Sequence, residues 1–346
     1  MRILIIGGTE FLGRHLVECA LARGHHVTIF NRGRHNNEIH AGVERLRGDR
    51  RFDLNILGSR RWECVIDTCG YTPSDVRATA KALKGAVGHY TFISTLSVYE
   101  DYSVKGVDED GALKTISEQS LREAEETELK DPIIAANYGA AYGPLKALCE
   151  QAIEEEMPGR VLNVRSGLIA GPYDYTDRFT YWPRRLAQGG EVLAPGRPQR
   201  QVQFIDARDL SAWIISMAEQ RKAGAFNASG PDYTLSMRDV LEQCGCVAGT
   251  EPQFVWVSDE FLLEAGVAPW SELPLWIPEN IPELAGFLSV NCAKAIAAGL
   301  TFRPLADTVR ETVAWINAMP ERSEPRAGIG REREAELLRD WRQRGG

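Results

Sequence analysis

The sequence predicts an α/β protein, in which a doubly wound parallel sheet is followed by a smaller mixed C-terminal lobe. In the first half, short apolar runs alternate with helical patterns, which is typical of a parallel sheet with helices on both faces. After Gly171, prolines and aromatic residues become frequent and the helical patterns become irregular. The length of 346 residues agrees with two units of this kind.

The elements of the first unit follow from its apolar periodicity. Leu12, Leu16 and Cys19 share one face of a first helix, and Gly24 is placed to end it. Strands near 201–205 and 225–227 are expected to return to this unit. We therefore expect a first domain over 1–165, a lobe over 166–320, and a charged C-terminal helix, docked or frayed, over 321–346. The strands predicted from apolar runs are 3–6, 27–30, 43–46, 64–66, 90–94 and 161–164.

Composition and net charge limit the kinds of molecule that the protein is expected to bind. Hydrophobic residues make up 44% and charged residues 25%, which excludes a disordered or fibrous protein. The net charge of −8 argues against binding of nucleic acid or of an anionic membrane by the whole chain. No apolar run is long enough to span a membrane. A small-molecule partner is therefore favoured.

The cysteines and histidines argue against further classes of protein. The seven cysteines are odd in number and scattered, which favours reduced thiols and predicts a cytoplasmic protein without a zinc site. All six histidines lie between His15 and His89. This excludes the Ser–Asp–His order of a hydrolase, which needs a late histidine.

A strand, a tight turn and a helix follow one another at the first glycines. Gly7 allows the turn, and Gly13 lets the helix approach the strand closely. Free N–H groups at the helix N-terminus would then bind a pyrophosphate, which predicts a Rossmann-type dinucleotide-binding domain. Glu10 stands where a middle glycine is expected, so its carboxylate must point away from the phosphates. The loop residues predicted to bind the dinucleotide are Gly7, Thr9, Glu10, Phe11, Leu12 and Gly13.

The residues after the second strand bear on the choice of dinucleotide. Asn31 stands where NAD enzymes usually place an acidic residue for the ribose hydroxyls. Asn31 carries no charge to repel a 2′-phosphate, and Arg32 and Arg34 could pair with one. NADP(H) is therefore favoured and NAD(H) stays open, because two solvated arginines in a loop would give the same pattern. Asp49, after the third strand, would meet the adenine edge or belong to a simple turn.

Tyr142 and Lys146 form a candidate acid–base pair. Residues four apart lie on one face of a helix, close enough for the ammonium to act on the phenol. A neighbouring cation favours the phenolate, so we predict a lowered pKa for the tyrosine. An accidental spacing on an amphipathic helix would give the same pattern.

These features together resemble the extended or atypical branch of the short-chain dehydrogenase/reductase superfamily, the NAD-dependent epimerase/dehydratase-like proteins. The resemblance implies that Tyr142 exchanges a proton with the substrate oxygen. It also implies that Lys146 holds the nicotinamide ribose and that Thr95 binds the substrate oxygen, with Ser94 as a neighbouring hydroxyl on the cofactor side. Related proteins often dimerise through the helix that carries the tyrosine, so a homodimer is implied too. The matching motifs are Gly7…Gly13, Thr95 before Ser97-Val98-Tyr99, Tyr142…Lys146, Arg165…Gly171-Pro172 and Ile205-Asp206…Asp209.

The chain departs from the nucleotide-sugar enzymes of this family at two positions. Leu168 stands where those enzymes have asparagine, and Val202 where they have the arginine that binds the diphosphate; Arg200 could substitute only in another register. Together with an aromatic-rich segment at 173–182, this predicts a rather apolar or aromatic substrate. The aromatic residues could equally form the core of the lobe. The predicted substrate residues are Leu168, Tyr173, Arg178, Trp182 and Arg200.

Three functions are consistent with these residues. The leading hypothesis is an NAD(P)-dependent oxidoreductase that transfers hydride to or from a carbonyl or secondary alcohol. The alternative is a nucleotide-sugar epimerase or dehydratase, in which no net cofactor turnover occurs. A non-catalytic relative that binds a dinucleotide or RNA is the third, because the segment 44–63 holds six arginines. A solvated helix edge explains that run more simply.

Overall fold

The computed structural model describes residues 1–35, 42–58, 60–126, 135–319 and 325–345. Every strand predicted from an apolar run in the first half is present, and its bounds differ by a few residues at most. The strands are β1 (Arg2–Ile6), β2 (His26–Asn31), β3 (Glu44–Arg47), β4 (Trp62–Asp67), β5 (Val87–Thr95), β6 (Val161–Ser166), β7 (Ile169–Ala170), β8 (Glu191–Pro195), β9 (Gln201–Val202), β10 (Ile205–Asp206), β11 (Gly224–Ala228), β12 (Leu235–Ser236) and β13 (Gln253–Val257).

Seven of these strands form one parallel sheet in the order β11-β6-β5-β4-β1-β2-β3. The strand β1 lies between β2 and β4, so that Ile6 is opposite Phe30 on one side and Asp67 on the other. The strand order reverses on the two sides of β1, which is the arrangement of a doubly wound sheet. The α/β fold class predicted from the sequence is therefore confirmed. Ligands of such sheets bind at the carboxyl ends of the strands near this reversal.

Alternating side chains of β1 face the two layers of helices. Ile3 and Ile5 pack in one core with the helices α1 (Phe11–Ala22) and α6 (Ala207–Glu219). Leu4 and Ile6 pack in the other core with α2 (Pro73–Leu83) and α4 (Tyr142–Glu156). Both faces of the strand are thus buried, which explains its continuous apolar run. None of the helices in the described residues could cross a membrane. They are α1 (Phe11–Ala22), α2 (Pro73–Leu83), α3 (Glu118–Glu126), α4 (Tyr142–Glu156), α5 (Tyr181–Leu186), α6 (Ala207–Glu219), α7 (Met237–Ala248), α8 (Asp259–Glu264), α9 (Ala293–Ala297), α10 (Leu305–Ala318) and α11 (Arg331–Gln343).

The two strands expected to return to the first unit behave differently. The strand β11 joins the large sheet beside β6, as the sequence predicts. The segment 201–205 does not join it: β9 pairs antiparallel with β12, and β10 pairs with β7 in a separate ladder. The expectation for 201–205 is wrong because strands of two residues find local partners and carry no periodicity that specifies a larger sheet.

The rest of the chain packs around a second core. Side chains of α5, α7, β8 and β13 form this core, and Leu337 and Leu338 of α11 are buried in it. The carboxylate of Glu334 accepts a hydrogen bond from Arg185 Nε at 2.8 Å, and both side chains are almost fully buried. The charged C-terminal segment therefore ends in a docked helix. Residues 321–324 and 346 of the predicted tail lie outside the described part of the chain.

Candidate functional site

A groove crosses the carboxyl ends of the central strands and leads into a cavity beside α4. Its first part is bordered by the ends of β1, β2 and β4, and its second part runs from the glycine loop to Tyr142 and Lys146. A cavity of about 340 Å³ continues from there toward the lobe. Tyr71, which directly follows β4, contributes to all three parts. The groove thus lies where the strand order reverses.

The glycine loop has the geometry that the sequence predicts. Gly7 has a φ of +102°, and a Cβ there would lie 2.3 Å from the hydroxyl oxygen of Thr68. At Gly13 a Cβ would lie 2.9 Å from the main chain of Gly8, so only glycine lets the helix come this close. Glu10 precedes α1, and its side chain makes no capping hydrogen bond. The N–H groups of the first turn therefore face the groove without a side-chain cap, which suits a pyrophosphate.

Asn31 connects two loops at the first part of the groove. Its Nδ2 donates to the carbonyl of Gly7 at 2.9 Å, and its Oδ1 accepts from the N–H of Gly33 at 2.9 Å. Both polar atoms of the amide therefore position the backbone. The carboxylate of Glu10 lies 4.0 Å from His35 Nδ1 at the same end.

Arg32, Arg34 and Asp49 all line this part of the groove. Asp49 belongs to the turn that follows β3, where its carboxylate accepts the N–H of Arg51 at 3.0 Å. The predicted positions of the two arginines and of Asp49 at the adenosine end are thus consistent with the structure. Their contact with a cofactor stays a prediction.

The arginines of the segment 44–63 are largely paired within the chain. The guanidinium of Arg50 donates to both carboxylate oxygens of the buried Asp67, at 3.0 and 2.7 Å. Arg51 forms an ion pair with Asp75, and Arg60 one with Glu44. These contacts neutralise part of the charge that an RNA backbone would need. The arginine run is therefore weak support for an RNA-binding function.

Lys146 is buried beneath the second part of the groove. Its Nζ donates to the carbonyl oxygens of Gly70 at 2.8 Å and Ile93 at 2.6 Å, and it lies 3.9 Å from the centroid of the Phe92 ring. These contacts fix the ammonium between the ends of β4 and β5. Burial lowers the pKa of Lys146 to about 8.

Ser94 lines the second part of the groove together with Lys146, but its hydroxyl is engaged by a buried carboxylate. The hydroxyl donates to the carboxylate of Glu150, which also forms a buried, bidentate ion pair with Arg165. The role of Ser94 as a hydroxyl available to the cofactor is therefore not supported by its hydrogen bond. A serine at the end of β5 gives no sign of this, because its partner lies on a helix 56 residues away.

Tyr142 and Thr95 meet where the groove opens into the cavity. Burial raises the pKa of Tyr142 to about 12, while the neighbouring Thr95 and the charge of Arg178 lower it. The hydroxyl of Thr95 donates to that of Ser97 at 3.2 Å. The lowered pKa predicted from the sequence is therefore wrong, since burial outweighs both favourable contacts. The nearby cation that acts on this phenol is Arg178 rather than Lys146. Tyr142 is thus protonated at neutral pH and can donate a proton.

The buried ammonium of Lys146 gives a testable pH dependence of stability. The native state releases this proton near pH 8, and the unfolded chain releases it at about pH 10.4. Between these values the unfolded state binds more protons, so the unfolding free energy gains a contribution that rises with pH. We expect the difference between wild type and Lys146→Met to rise over this range in urea titrations and to be flat below pH 8. A flat difference throughout would contradict the buried charge, and Lys81→Met, an exposed lysine on α2, is the control.

The cavity beside Tyr142 is mostly apolar. Leu168 and Arg178, both predicted as substrate residues, line it. Tyr71 follows the carboxyl end of the strand next to β1, and that position is the signal that could have identified it from the sequence. The other residues carry no such signal, because distant segments bring them together. The lining residues that sequence reasoning did not place here include Tyr71, Ser97, Phe287 and Arg326.

Three predicted substrate residues lie outside the cavity. The ring of Tyr173 packs under the guanidinium of Arg14, 3.7 Å from ring centroid to Cζ. Trp182 is fully buried in the core of the lobe. Arg200 donates to both carboxylate oxygens of Asp259 and is 3% exposed. These predictions are wrong because Tyr173 packs against α1, and because Trp182 and Arg200 stabilise the lobe.

Comparisons with known proteins identify a family and a similar relative. The model of the NAD dependent epimerase/dehydratase family matches residues 3–229. The chain is similar to the chloroplast stem-loop binding protein of 41 kDa b of Arabidopsis thaliana, with 23% identity over 273 residues. That match covers 73% of this chain and 65% of the relative, which is less than two thirds of its length.

Two solved structures share the fold. One is UDP-glucuronic acid 4-epimerase from Bacillus cereus in complex with NAD, with a TM-score of 0.61, 16% identity and coverage of 92% of this chain and 99% of that chain. The other is a human epimerase family protein with NADPH, with a TM-score of 0.59, 18% identity and coverage of 91% and 99%. At these identities the likeness extends to the fold.

Proposed function

Since the chain belongs to the NAD-dependent epimerase/dehydratase family, and is thus an enzyme with a nicotinamide dinucleotide cofactor, we propose that it reduces or oxidises a small substrate. The reacting group is a carbonyl or a secondary alcohol. The observation that carries this proposal is the placement of Tyr142 beside Thr95, where the glycine groove meets a largely apolar cavity. Consumption of NADPH with a panel of carbonyl compounds tests it. The absence of turnover with every member would contradict it.

The roles of the side chains follow from their protonation. A dinucleotide bound in the groove supplies the hydride. Thr95 and Tyr142 hydrogen-bond the substrate oxygen, and the protonated phenol donates its proton as negative charge develops there. The phenolate that remains is stabilised by Thr95 and by the positive charge of Arg178. Lys146, held by two carbonyls, supplies a fixed ammonium at the floor of the groove.

The first part of the groove supports a preference for NADP(H). Arg32 and Arg34 follow the carboxyl end of β2, and the neutral Asn31 offers no carboxylate for ribose hydroxyls. In the double variant Arg32→Gln/Arg34→Gln, we expect the Kd for NADPH to rise about 10- to 100-fold, because charge-assisted hydrogen bonds to the 2′-phosphate are lost. Affinity for NADH should not change. Fluorescence titration with both dinucleotides measures this.

The matched control for that titration is Arg60→Gln, since Arg60 pairs with Glu44 outside the groove. It should leave both affinities as they are. An equal loss of NADPH and NADH affinity in the double variant would contradict the 2′-phosphate assignment. Equal affinities in wild type would do the same.

The epimerase or dehydratase alternative needs a site for a nucleotide diphosphate. Arg200 is committed to Asp259, and Val202 is fully buried, so neither is free for such a group. This favours net oxidation or reduction of a smaller substrate. Tight binding of UDP-glucose in calorimetry would favour the alternative instead. The homodimer and the cytoplasmic location stay predictions. Sizing chromatography tests the homodimer.

A further inference from the structure

The described lining of the cavity beside Tyr142 carries two positive charges and no carboxylate. Arg178 and Arg326 are the charged side chains among its described lining residues, and the remaining ones are apolar, aromatic or neutral polar. Within the described part of the chain, neither guanidinium forms an ion pair; both residues bond through their main-chain amides. Arg178 is half-buried and Arg326 is exposed. A partly desolvated cation beside an apolar surface gains from an anionic partner.

The backbone around the two arginines is fixed by buried carboxylates. Asp177 accepts the N–H of Arg326 at 3.0 Å, which joins the two segments although they are far apart in the sequence. Thr176 Oγ1 accepts the N–H of Arg178 at 3.4 Å, and the hydroxyl of Thr176 donates to Asp174 at 2.6 Å. Both aspartates are fully buried. Their carboxylates accept hydrogen bonds from backbone N–H groups, so the main chain at Arg178 and Arg326 is positioned before a ligand binds.

The aromatic residues of the cavity complete the recognition surface. The guanidinium of Arg326 lies 5.2 Å from the centroid of the Tyr175 ring, a contact that holds a cation at the cavity wall. Arginine forks match the geometry of carboxylate and phosphate oxygens. The apolar lining residues nearby are Leu96, Leu168, Ile169, Trp270, Phe287 and Leu288.

We propose that the substrate carries a carboxylate or phosphate group on a compact aromatic or apolar body, and that Arg178 and Arg326 bind this anionic group. The inference rests on the proposed oxidoreductase function, because it names the substrate class of the same cavity. It changes the expectation drawn from the sequence, which was an apolar substrate. The anionic end fixes the orientation in which the carbonyl or alcohol meets Tyr142 and Thr95.

Calorimetry with matched probes tests the proposal on the full-length chain. The probes are 4-carboxybenzaldehyde, 4-formylphenyl phosphate and the neutral methyl 4-formylbenzoate, together with the same three forms of two longer aryl ketones. We expect the better of the two anions to bind at least about 10-fold more tightly than the ester in wild type. The two anionic arms distinguish a carboxylate from a phosphate. Arg178→Gln and Arg326→Gln should each remove most of this preference without weakening the ester.

Two controls separate this inference from the proposed function. Arg310→Gln, an exposed arginine on α10 that pairs with Asp307, should leave the anion preference intact. NADPH titration of wild type and of each variant reports on the cofactor groove. In wild type, normal NADPH binding without any anion preference would overturn the inference alone. Equal binding of ester and anions in wild type, or tighter binding of UDP-glucose than of any probe, would also overturn it.

Discussion

In the Tyr142→Phe variant we expect kcat/KM for carbonyl reduction to fall by about 10²- to 10⁴-fold. The variant removes the hydroxyl that would donate the proton, but it keeps the ring that lines the cavity. Since burial raises the pKa of Tyr142 to about 12, the phenol is fully protonated near neutral pH. Steady-state NADPH oxidation with the best substrate of the carbonyl panel measures the loss.

Tyr233→Phe is the matched control, because Tyr233 is an exposed tyrosine away from the groove. It should keep wild-type kcat/KM. NADPH affinity should be the same in wild type and in Tyr142→Phe, which separates proton donation from cofactor binding. If Tyr142→Phe reduces every substrate as fast as wild type, Tyr142 is not the proton donor.

The Glu150→Gln variant is expected to lower the free energy of unfolding by about 3–5 kcal/mol. Glu150 and Arg165 are nearly fully buried and joined by hydrogen bonds of 2.8 to 3.2 Å. Glutamine fits the space and leaves the guanidinium charged without a counter-charge in the interior. Arg165 Nη1 keeps its bond to the hydroxyl of Tyr99 at 3.0 Å, which does not replace a carboxylate. Urea unfolding at neutral pH measures the change.

Two further variants make this test specific. Glu242→Gln removes one partner of the exposed pair Arg238–Glu242 on α7 and should cost less than about 1 kcal/mol. The double variant Glu150→Met/Arg165→Met should recover much of the loss, because no unpaired charge remains. A loss below about 1 kcal/mol in Glu150→Gln would mean that the buried ion pair does not stabilise the fold.

Local patterns were sufficient for the central sheet and for the glycine loop. The apolar run at 3–6 is buried on both sides, and Gly7 and Gly13 have the close contacts that their spacing predicts. Such features depend on neighbours within one strand–turn–helix unit, so periodicity and glycine placement specify them. The placement of Tyr142 and Lys146 on one helix belongs to the same class.

The residues that the sequence could not place depend on contacts between distant segments. Arg200 pairs with Asp259, and Arg326 reaches the cavity from the segment before α11. The pKa of Tyr142 depends on how deeply the lobe covers it, which no spacing encodes. The sequence shows which residues are charged or aromatic. Which of these residues form the core and which line the cavity depends on packing between distant segments.

The residues of the dinucleotide groove and some residues of the cavity wall leave the ribosome at different times, because the segment around α11 is synthesised last. A ribosome that has released only the residues up to β11 has already supplied the glycine groove, Tyr142 and Lys146. Arg326, and the Glu334 that neutralises the buried Arg185, emerge much later. A nascent chain can therefore acquire its dinucleotide groove before the wall of the neighbouring cavity is complete.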